Sequence, residues 1–197
     1  MTVSNTITSI LKEHNGVITV DMVTSHGLSK TSFYSYVQDK GLHRISHGIY
    51  IDDTSWVDDL YILSLRSSKI VFSHETALYL HGLTDREPLQ LTVTTYSGNN
   101  LHKIKLDGIK VYNIKIELYD MGKTIAKTQF GNSVPVYDIE RTICDLVRSR
   151  SSIDPQVFQQ ALKQYAVLRD KDLNRLTDYA TELGINNVLR RYLEVLL

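Results

Sequence analysis

The order of elements in the first 52 residues constrains the fold of this chain more than any other sequence feature. Three short segments have the apolar spacing of helices, and only Gly27-Leu28 separates the second from the third. A turn that short forces two helices to cross at a sharp angle. A β-compatible segment centred on Gly48 follows and predicts a small hairpin. This order is typical of a winged helix-turn-helix, which we expect for residues 1–54.

The third helical segment, LSKTSFYSYVQDKG, supplies side chains that could contact DNA. Ser29 is expected to cap this helix and Gly41 to end it. Phe33 and Tyr36 have the spacing of core residues, whereas Tyr34 is expected to be exposed. Hydroxyl, amide and ammonium groups bind phosphate oxygens and base edges. The predicted DNA-contacting residues of this helix are therefore Lys30, Thr31, Tyr34, Ser35, Gln38 and Lys40.

The predicted hairpin adds Arg44, Ser46 and His47, of which Arg44 is the first choice for a phosphate or minor-groove contact. Residues 28–50 carry three basic side chains and one acidic side chain. The whole chain is balanced, with 22 Lys+Arg and 22 Asp+Glu, so this excess of positive charge is local. The excess favours DNA over the alternative partner of such a unit, which is another protein.

A polar, acidic segment at residues 52–55 is expected to separate two domains, residues 1–54 and residues 55–197. The second part of the chain combines helical and β patterns, and Asp154-Pro155 begins a predicted series of helices. We therefore predict an α+β protein. Its N-terminal winged helix-turn-helix is followed by a mixed α/β C-terminal domain that ends in a helical bundle.

A second basic stretch lies in residues 103–127, where six lysines stand against three acidic residues. Asp107-Gly108 separates two β-rich segments there and predicts a hairpin in which two lysines face each other. Like charges that face each other suggest an anionic partner, although lysines also protect edge strands from aggregation. The second interpretation is the stronger one. The candidates for this surface are Lys103, Lys105, Lys110 and Lys115.

The motifs of catalysis and metal binding are missing from the sequence. The segment that begins at His74-Glu75 resembles a zinc-protease motif, but Leu78 stands where the second histidine belongs. Cys144 is the single cysteine, and its apolar neighbours predict a buried, inert thiol. We therefore predict no enzyme activity, cofactor or metal. The sequence also contains no long apolar run and no signal peptide, so we expect a cytoplasmic protein without a membrane partner.

Three segments of the chain resemble the AbiEi antitoxin family of bacterial type IV toxin–antitoxin systems. They are GLSKTSFYSYVQDKGLHRISHGIYI, SHETALYLHGLTD and VPVYDIERTICDLV. The resemblance implies a protein of abortive infection, a phage defence, that represses its own operon by binding inverted repeats in the promoter. It also implies a C-terminal antitoxin domain that neutralises a nucleotidyltransferase-like toxin without a stable complex. Basic residues of the wing and recognition helix bind DNA in that family, and Lys30 and Arg44 match those elements.

Two other functions compete for the C-terminal domain. It could be an enzyme that acts on the toxin or on the toxin's nucleotide substrate, or a module that holds the toxin directly through the second basic stretch. The oligomeric state is equally open. Inverted repeats require two winged domains, and these could come from a weak dimer or from two monomers that bind separately.

Overall fold

The computed structural model describes residues 3–99 and 101–196, which contain ten α-helices and two β-sheets and agree with the predicted α+β class. The chain divides into two compact units. The first unit comprises Met1–Ser68 and Thr128–Asn132, and the second comprises Lys69–Lys127 and Ser133–Leu197. The boundary that we predict at residue 54 therefore differs from this division, because the next helix still belongs to the first unit.

The first unit contains four helices and three strands. In chain order they are α1 (Val3–Glu13), β1 (Val17–Thr19), α2 (Val20–Ser25), α3 (Lys30–Lys40), β2 (His43–Ser46), β3 (Ile49–Ile51) and α4 (Asp59–Arg66). The strands form an antiparallel sheet of order β1-β3-β2. The predicted hairpin is therefore present, and β1 adds a strand that the sequence pattern does not predict.

The helix boundaries of the first unit follow from capping side chains. Ser29 caps α3 by accepting a hydrogen bond from the backbone N–H of Ser32 at 3.1 Å, and Gly41 ends α3 in the left-handed conformation, both as predicted. Asp58 caps α4 in the same way, through the backbone N–H of Tyr61 at 3.1 Å. The apolar side chains behind these caps form one cluster around Phe33, which is fully buried.

The described residues of the second unit form five strands and six α-helices. In chain order they are β4 (Val71–Phe72), α5 (His74–Leu80), β5 (Thr92–Tyr96), α6 (His102–Leu106), β6 (Lys110–Ile114), β7 (Lys123–Lys127), β8 (Ser133–Tyr137), α7 (Ile139–Arg148), α8 (Pro155–Val167), α9 (Leu173–Glu182) and α10 (Asn186–Leu196). The strands form a mixed sheet of order β6-β5-β4-β8-β7. Pairing is parallel between β5 and β6 and between β4 and β8, and antiparallel elsewhere.

The hairpin predicted around Asp107-Gly108 is wrong. The segment before it is helix α6, and β6 pairs with β5 in parallel. Parallel neighbours need a crossover connection, and α6 lies in that connection. Leu101 and Ile104 are buried at helical spacing, while Leu106 is exposed. Gly108, with φ of +80°, takes the left-handed conformation that ends helices as well as hairpin turns.

Helices α7 to α10 pack around one apolar cluster that also includes Leu78 of α5. Cys144 is fully buried there, as predicted, and burial raises the pKa of its thiol to about 12. The buried Arg141 pairs with Asp145 on the next turn of α7, with Nε 3.2 Å from Oδ2. No helix among residues 3–99 and 101–196 is both long and apolar enough to cross a membrane.

Candidate nucleic-acid interface

Helix α3 separates packing residues from residues that face solvent. Phe33 and Tyr36 are buried, whereas Tyr34 is 46% exposed, in agreement with the predicted roles of the two tyrosines. The Tyr34 ring lies 5.5 Å from the Phe33 ring and 6.4 Å from the Tyr50 ring, measured between centroids, so its position is restricted. All six residues that the sequence predicts as DNA contacts on this helix are exposed: Lys30, Thr31, Tyr34, Ser35, Gln38 and Lys40.

The β2–β3 hairpin holds Arg44 in a defined orientation. Its Nε donates to the backbone oxygen of Ser46 at 3.2 Å, and its Nη2 lies 3.1 Å from Nδ1 of His47. Ser46 pairs with Ile49 across the turn, and Gly48 has φ of +71° there, a conformation that favours glycine. Arg44 and His47 are exposed and Ser46 is half-buried. The guanidinium is thus held along the hairpin before any ligand binds.

Four of the predicted contact residues line one open cleft. Lys30 and Tyr34 of α3 form part of its wall, and Arg44 and His47 of the hairpin form another part. Residues of α2 complete the cleft, whose volume is about 840 Å³. Thr31, Ser35, Gln38, Lys40 and Ser46 do not line it.

The charge of this cleft is positive but small. Lys30 and Arg44 form no ion pair with any residue that the structure describes. Asp21 of α2 lies in the same cleft. Lys40 is partly neutralised, because its Nζ lies 3.7 Å from the carboxylate of Asp39. Two free cations therefore act on a ligand in the cleft, against one acidic side chain.

The second basic stretch does not form the predicted hairpin. Lys103 and Lys105 lie on α6, Lys110 lies on β6, and Lys115 follows β6. Lys110 is engaged within the second unit, since its Nζ donates to the backbone oxygen of Ser152 at 3.0 Å. The hairpin that would place lysines opposite each other is absent, so the argument for an anionic partner at this stretch no longer holds.

The second unit contains a polar cluster around His74, which the sequence does not predict to be a functional site. His74 is 3% exposed, and its ring stacks on Tyr112 with centroids 3.6 Å apart. Its Nδ1 lies 3.0 Å from Oγ of Ser73 and its Nε2 lies 3.1 Å from Oγ of Ser149. Burial, together with the positive charges of Lys110, Arg141 and Arg148, lowers the pKa of His74 to about 3. The ring is therefore neutral at physiological pH.

The side chains that the structure describes include no group of three or more metal-ligating residues. His81, which shares a helical face with His74 in the sequence pattern, instead contacts the backbone oxygen of Tyr137 through Nε2 at 2.7 Å.

No family model matches the chain, and no curated protein matches it significantly. Among solved structures, the chain is similar to the crystal structure of RV2827C protein from Mycobacterium tuberculosis. The TM-score is 0.59 at 15% sequence identity, and the match covers 92% of this chain and 72% of that chain. At 15% sequence identity, this similarity shows that the two proteins share a fold.

Proposed function

We propose that the first unit is a winged helix-turn-helix that binds double-stranded promoter DNA. The observation that carries this proposal is the cleft shared by Lys30, Tyr34, Arg44 and His47. In this proposal α3 is the recognition helix and the β2–β3 hairpin is the wing. The major groove of B-DNA, about 12 Å wide, admits one α-helix, and a wing beside it reaches the flanking phosphates.

The contacts fall into two groups with different consequences. Lys30, Arg44 and His47 are suited to phosphate oxygens, which position the protein without reading sequence. Gln38 and Ser35 on the exposed face of α3 can bind base edges, and the amide of Gln38 matches the donor and acceptor pair of adenine. Two free cations make few phosphate contacts, so the salt dependence of binding should be shallow.

We further propose that the chain is an AbiEi-type antitoxin that represses its own operon. The support is the resemblance of the three sequence segments, together with the α+β fold in two units. The second unit, with helices α7 to α10 as its C-terminal bundle, is then the antitoxin domain of a cytoplasmic phage-defence system. It neutralises a nucleotidyltransferase-like toxin without a stable complex. Inverted repeats are bound by two copies, as monomers or as a weak dimer.

Fluorescence anisotropy with DNA from upstream of the gene tests the DNA-binding proposal. Arg44→Ala should weaken binding about tenfold, equivalent to about 1.4 kcal/mol. The matched control is Lys12→Ala, which removes one positive charge from an exposed position on α1 that does not line the cleft. Equal affinity of Arg44→Ala and wild type for promoter DNA would contradict the wing assignment.

Rescue of toxin-arrested cells tests the antitoxin proposal. The full-length protein, expressed from an unrelated promoter, should restore growth in the presence of the toxin encoded beside it. Arg44→Ala should rescue equally well, because rescue is assigned to the second unit. Co-purification of the toxin would favour the direct-binding alternative. Rescue by a protein that is present at far fewer copies than the toxin would favour the alternative in which the C-terminal domain is an enzyme.

A further inference from the structure

A cavity of about 170 Å³ in the second unit lies beside His74. Side chains from α5, β5, β6 and the end of α7 line it, among them His74, Thr94, Tyr112, Asn113, Arg148 and Ser149. Most of these side chains are polar, whereas a structural void in a core is normally apolar and dry. A polar, partly open cavity of this kind fits a polar ligand.

The backbone at this cavity holds an unfavourable conformation. His74 has φ of +50°, in the left-handed region that costs a residue with a side chain roughly 1–2 kcal/mol. The ring is fixed on both edges by Ser73 and Ser149 and on one face by Tyr112. Such strain persists only where the surroundings determine it, and it concentrates at ligand-binding positions.

The charges around the cavity leave an excess of positive charge. Asp145 also lines the cavity, but its carboxylate is paired with Arg141 at 3.2 Å. Arg148 is exposed at the cavity wall and forms no hydrogen bond or ion pair with the residues that the structure describes. Lys110 adds positive charge near the cavity wall, because its Nζ lies 5.0 Å from the centroid of the Tyr112 ring. Asp145 also attracts Arg148 electrostatically, but no carboxylate among the described residues is hydrogen-bonded to the Arg148 guanidinium.

Hydrogen-bond donors at the cavity are also unused. The Tyr112 hydroxyl is removed from solvent and has no hydrogen-bond partner among the residues that the structure describes. The exposed Asn113 side chain makes no hydrogen bond with the described residues. A buried hydroxyl normally has a hydrogen-bond partner, and the Tyr112 hydroxyl has none among the described residues. An oxyanion in the cavity would accept from this hydroxyl and from the exposed guanidinium of Arg148.

Catalysis by the Ser149–His74 pair does not fit the same observations. Burial and the three neighbouring cations lower the pKa of His74 to about 3. An imidazole this weakly basic does not remove a proton from a serine hydroxyl efficiently near neutral pH. The pair instead presents fixed, neutral dipoles to the cavity.

We propose that this cavity binds a small oxyanion of the phosphate type, held by the guanidinium of Arg148 and by the donors of Tyr112 and Asn113. The cavity has several times the ~30 Å³ that one water occupies in the liquid, which is room for a group of about five heavy atoms. The phosphate is either free or the end of a small phosphate monoester. This site is independent of the DNA-binding proposal, since its residues belong to the second unit.

Isothermal titration of the full-length protein with inorganic phosphate, in a chloride buffer of matched ionic strength, tests the site. Wild type should bind, and Arg148→Gln should weaken binding by at least about tenfold because a charge-assisted contact is lost. The matched control is Arg150→Gln, at another exposed arginine two residues away that does not line the cavity. It should change affinity by less than about twofold.

A second variant separates ligand binding from folding. Tyr112→Phe removes a hydroxyl that has no protein partner, so its melting temperature should equal that of wild type while its phosphate affinity falls several-fold. Titration with glycerol 3-phosphate distinguishes the sources: tighter binding than phosphate identifies a monoester, and weaker binding identifies the free anion. Absence of binding by both compounds overturns the proposal, as does an equal loss in the two arginine variants.

Discussion

Asn132 donates a hydrogen bond from Nδ2 to Oδ2 of Asp58 over 2.7 Å, although 74 positions separate the two residues in sequence. The same carboxylate oxygen accepts from Oγ1 of Thr128 at 2.6 Å, and the other oxygen caps α4. Asp58 is 2% exposed. One buried carboxylate therefore begins a helix and also fixes residues 128–132 within the first unit.

Asp58→Ala should lower the free energy of unfolding by roughly 3–5 kcal/mol, because three donors lose their acceptor in a buried site. Urea denaturation of the full chain measures the loss. Asp59→Ala, at the adjacent exposed carboxylate, should cost less than about 1 kcal/mol. Similar losses in the two variants would show that the buried hydrogen bonds contribute little.

Gly16→Ala should be more destabilising than Gly27→Ala. Both glycines have positive φ, +80° and +76°, so each substitution incurs roughly 1–2 kcal/mol of backbone strain. A Cβ on Gly16 would also lie 2.7 Å from Oδ2 of Asp52 and closer still to the Ser55 side chain, whereas a Cβ on Gly27 meets nothing within 4 Å. Midpoints of urea denaturation compare the two, and equal losses would argue against the close approach at Gly16.

The neutral His74 should make folding stability depend on pH. Its pKa is about 3 in the folded protein and about 6.5 when unfolded, so the unfolded state binds more protons between these values. Above about pH 6.5 His74 is neutral in both the folded and the unfolded state, so its protonation does not reduce the free energy of unfolding. The free energy of unfolding decreases as the pH falls, by up to about 1.4 kcal/mol per pH unit.

His74→Asn tests this pH dependence, because asparagine tolerates the left-handed conformation and does not titrate. The variant should lose part of the decrease in unfolding free energy between about pH 7 and pH 5. His26→Gln removes an exposed histidine and should keep the wild-type slope. A wild-type slope in His74→Asn would mean that this ring does take up a proton in the folded state.

Lys30→Ala and Gln38→Ala should affect DNA binding differently. Loss of Lys30 should weaken binding to operator DNA and to scrambled DNA by the same factor. It should also reduce the slope of the logarithm of the binding constant against the logarithm of salt concentration by about one unit. Loss of Gln38 should weaken operator binding by about 1–3 kcal/mol while binding to scrambled DNA is unchanged. Anisotropy titrations at several salt concentrations distinguish the two, and a uniform effect of Gln38→Ala would exclude a base contact.

The sequence predicts the helical part of the first unit well because its signals are local. The Ser29 cap, the Gly41 stop and the different exposure of Tyr34 and Tyr36 each depend on residues within one helix. The sequence does not predict strand β1, because its three consecutive buried residues show no alternation of apolar and polar side chains. They form a strand only through pairing with β3, which lies about thirty residues later in the chain.

The errors in the second unit have a different origin. Asp107-Gly108 is a turn signal, but a helix end and a hairpin use the same left-handed glycine. The choice between them depends on the distant partner of β6, which local sequence does not contain. The His74 cluster is unpredictable for the same reason, since Ser149 comes from 75 positions away. Only its left-handed histidine is a local feature, and even histidine, which is enriched at positive φ, adopts this conformation too rarely for the sequence to predict it.

The separation of packing and exposed residues along α3 has an evolutionary consequence. Phe33 and Tyr36 maintain the core and Val37 packs against it, while the exposed positions of α3 contribute little to folding. Exposed substitutions change unfolding free energy by less than about 0.5 kcal/mol in most cases. If α3 binds operator DNA as proposed, a duplicated gene can acquire a new operator preference through α3 without losing its fold, and two related operons in one genome can then be regulated independently.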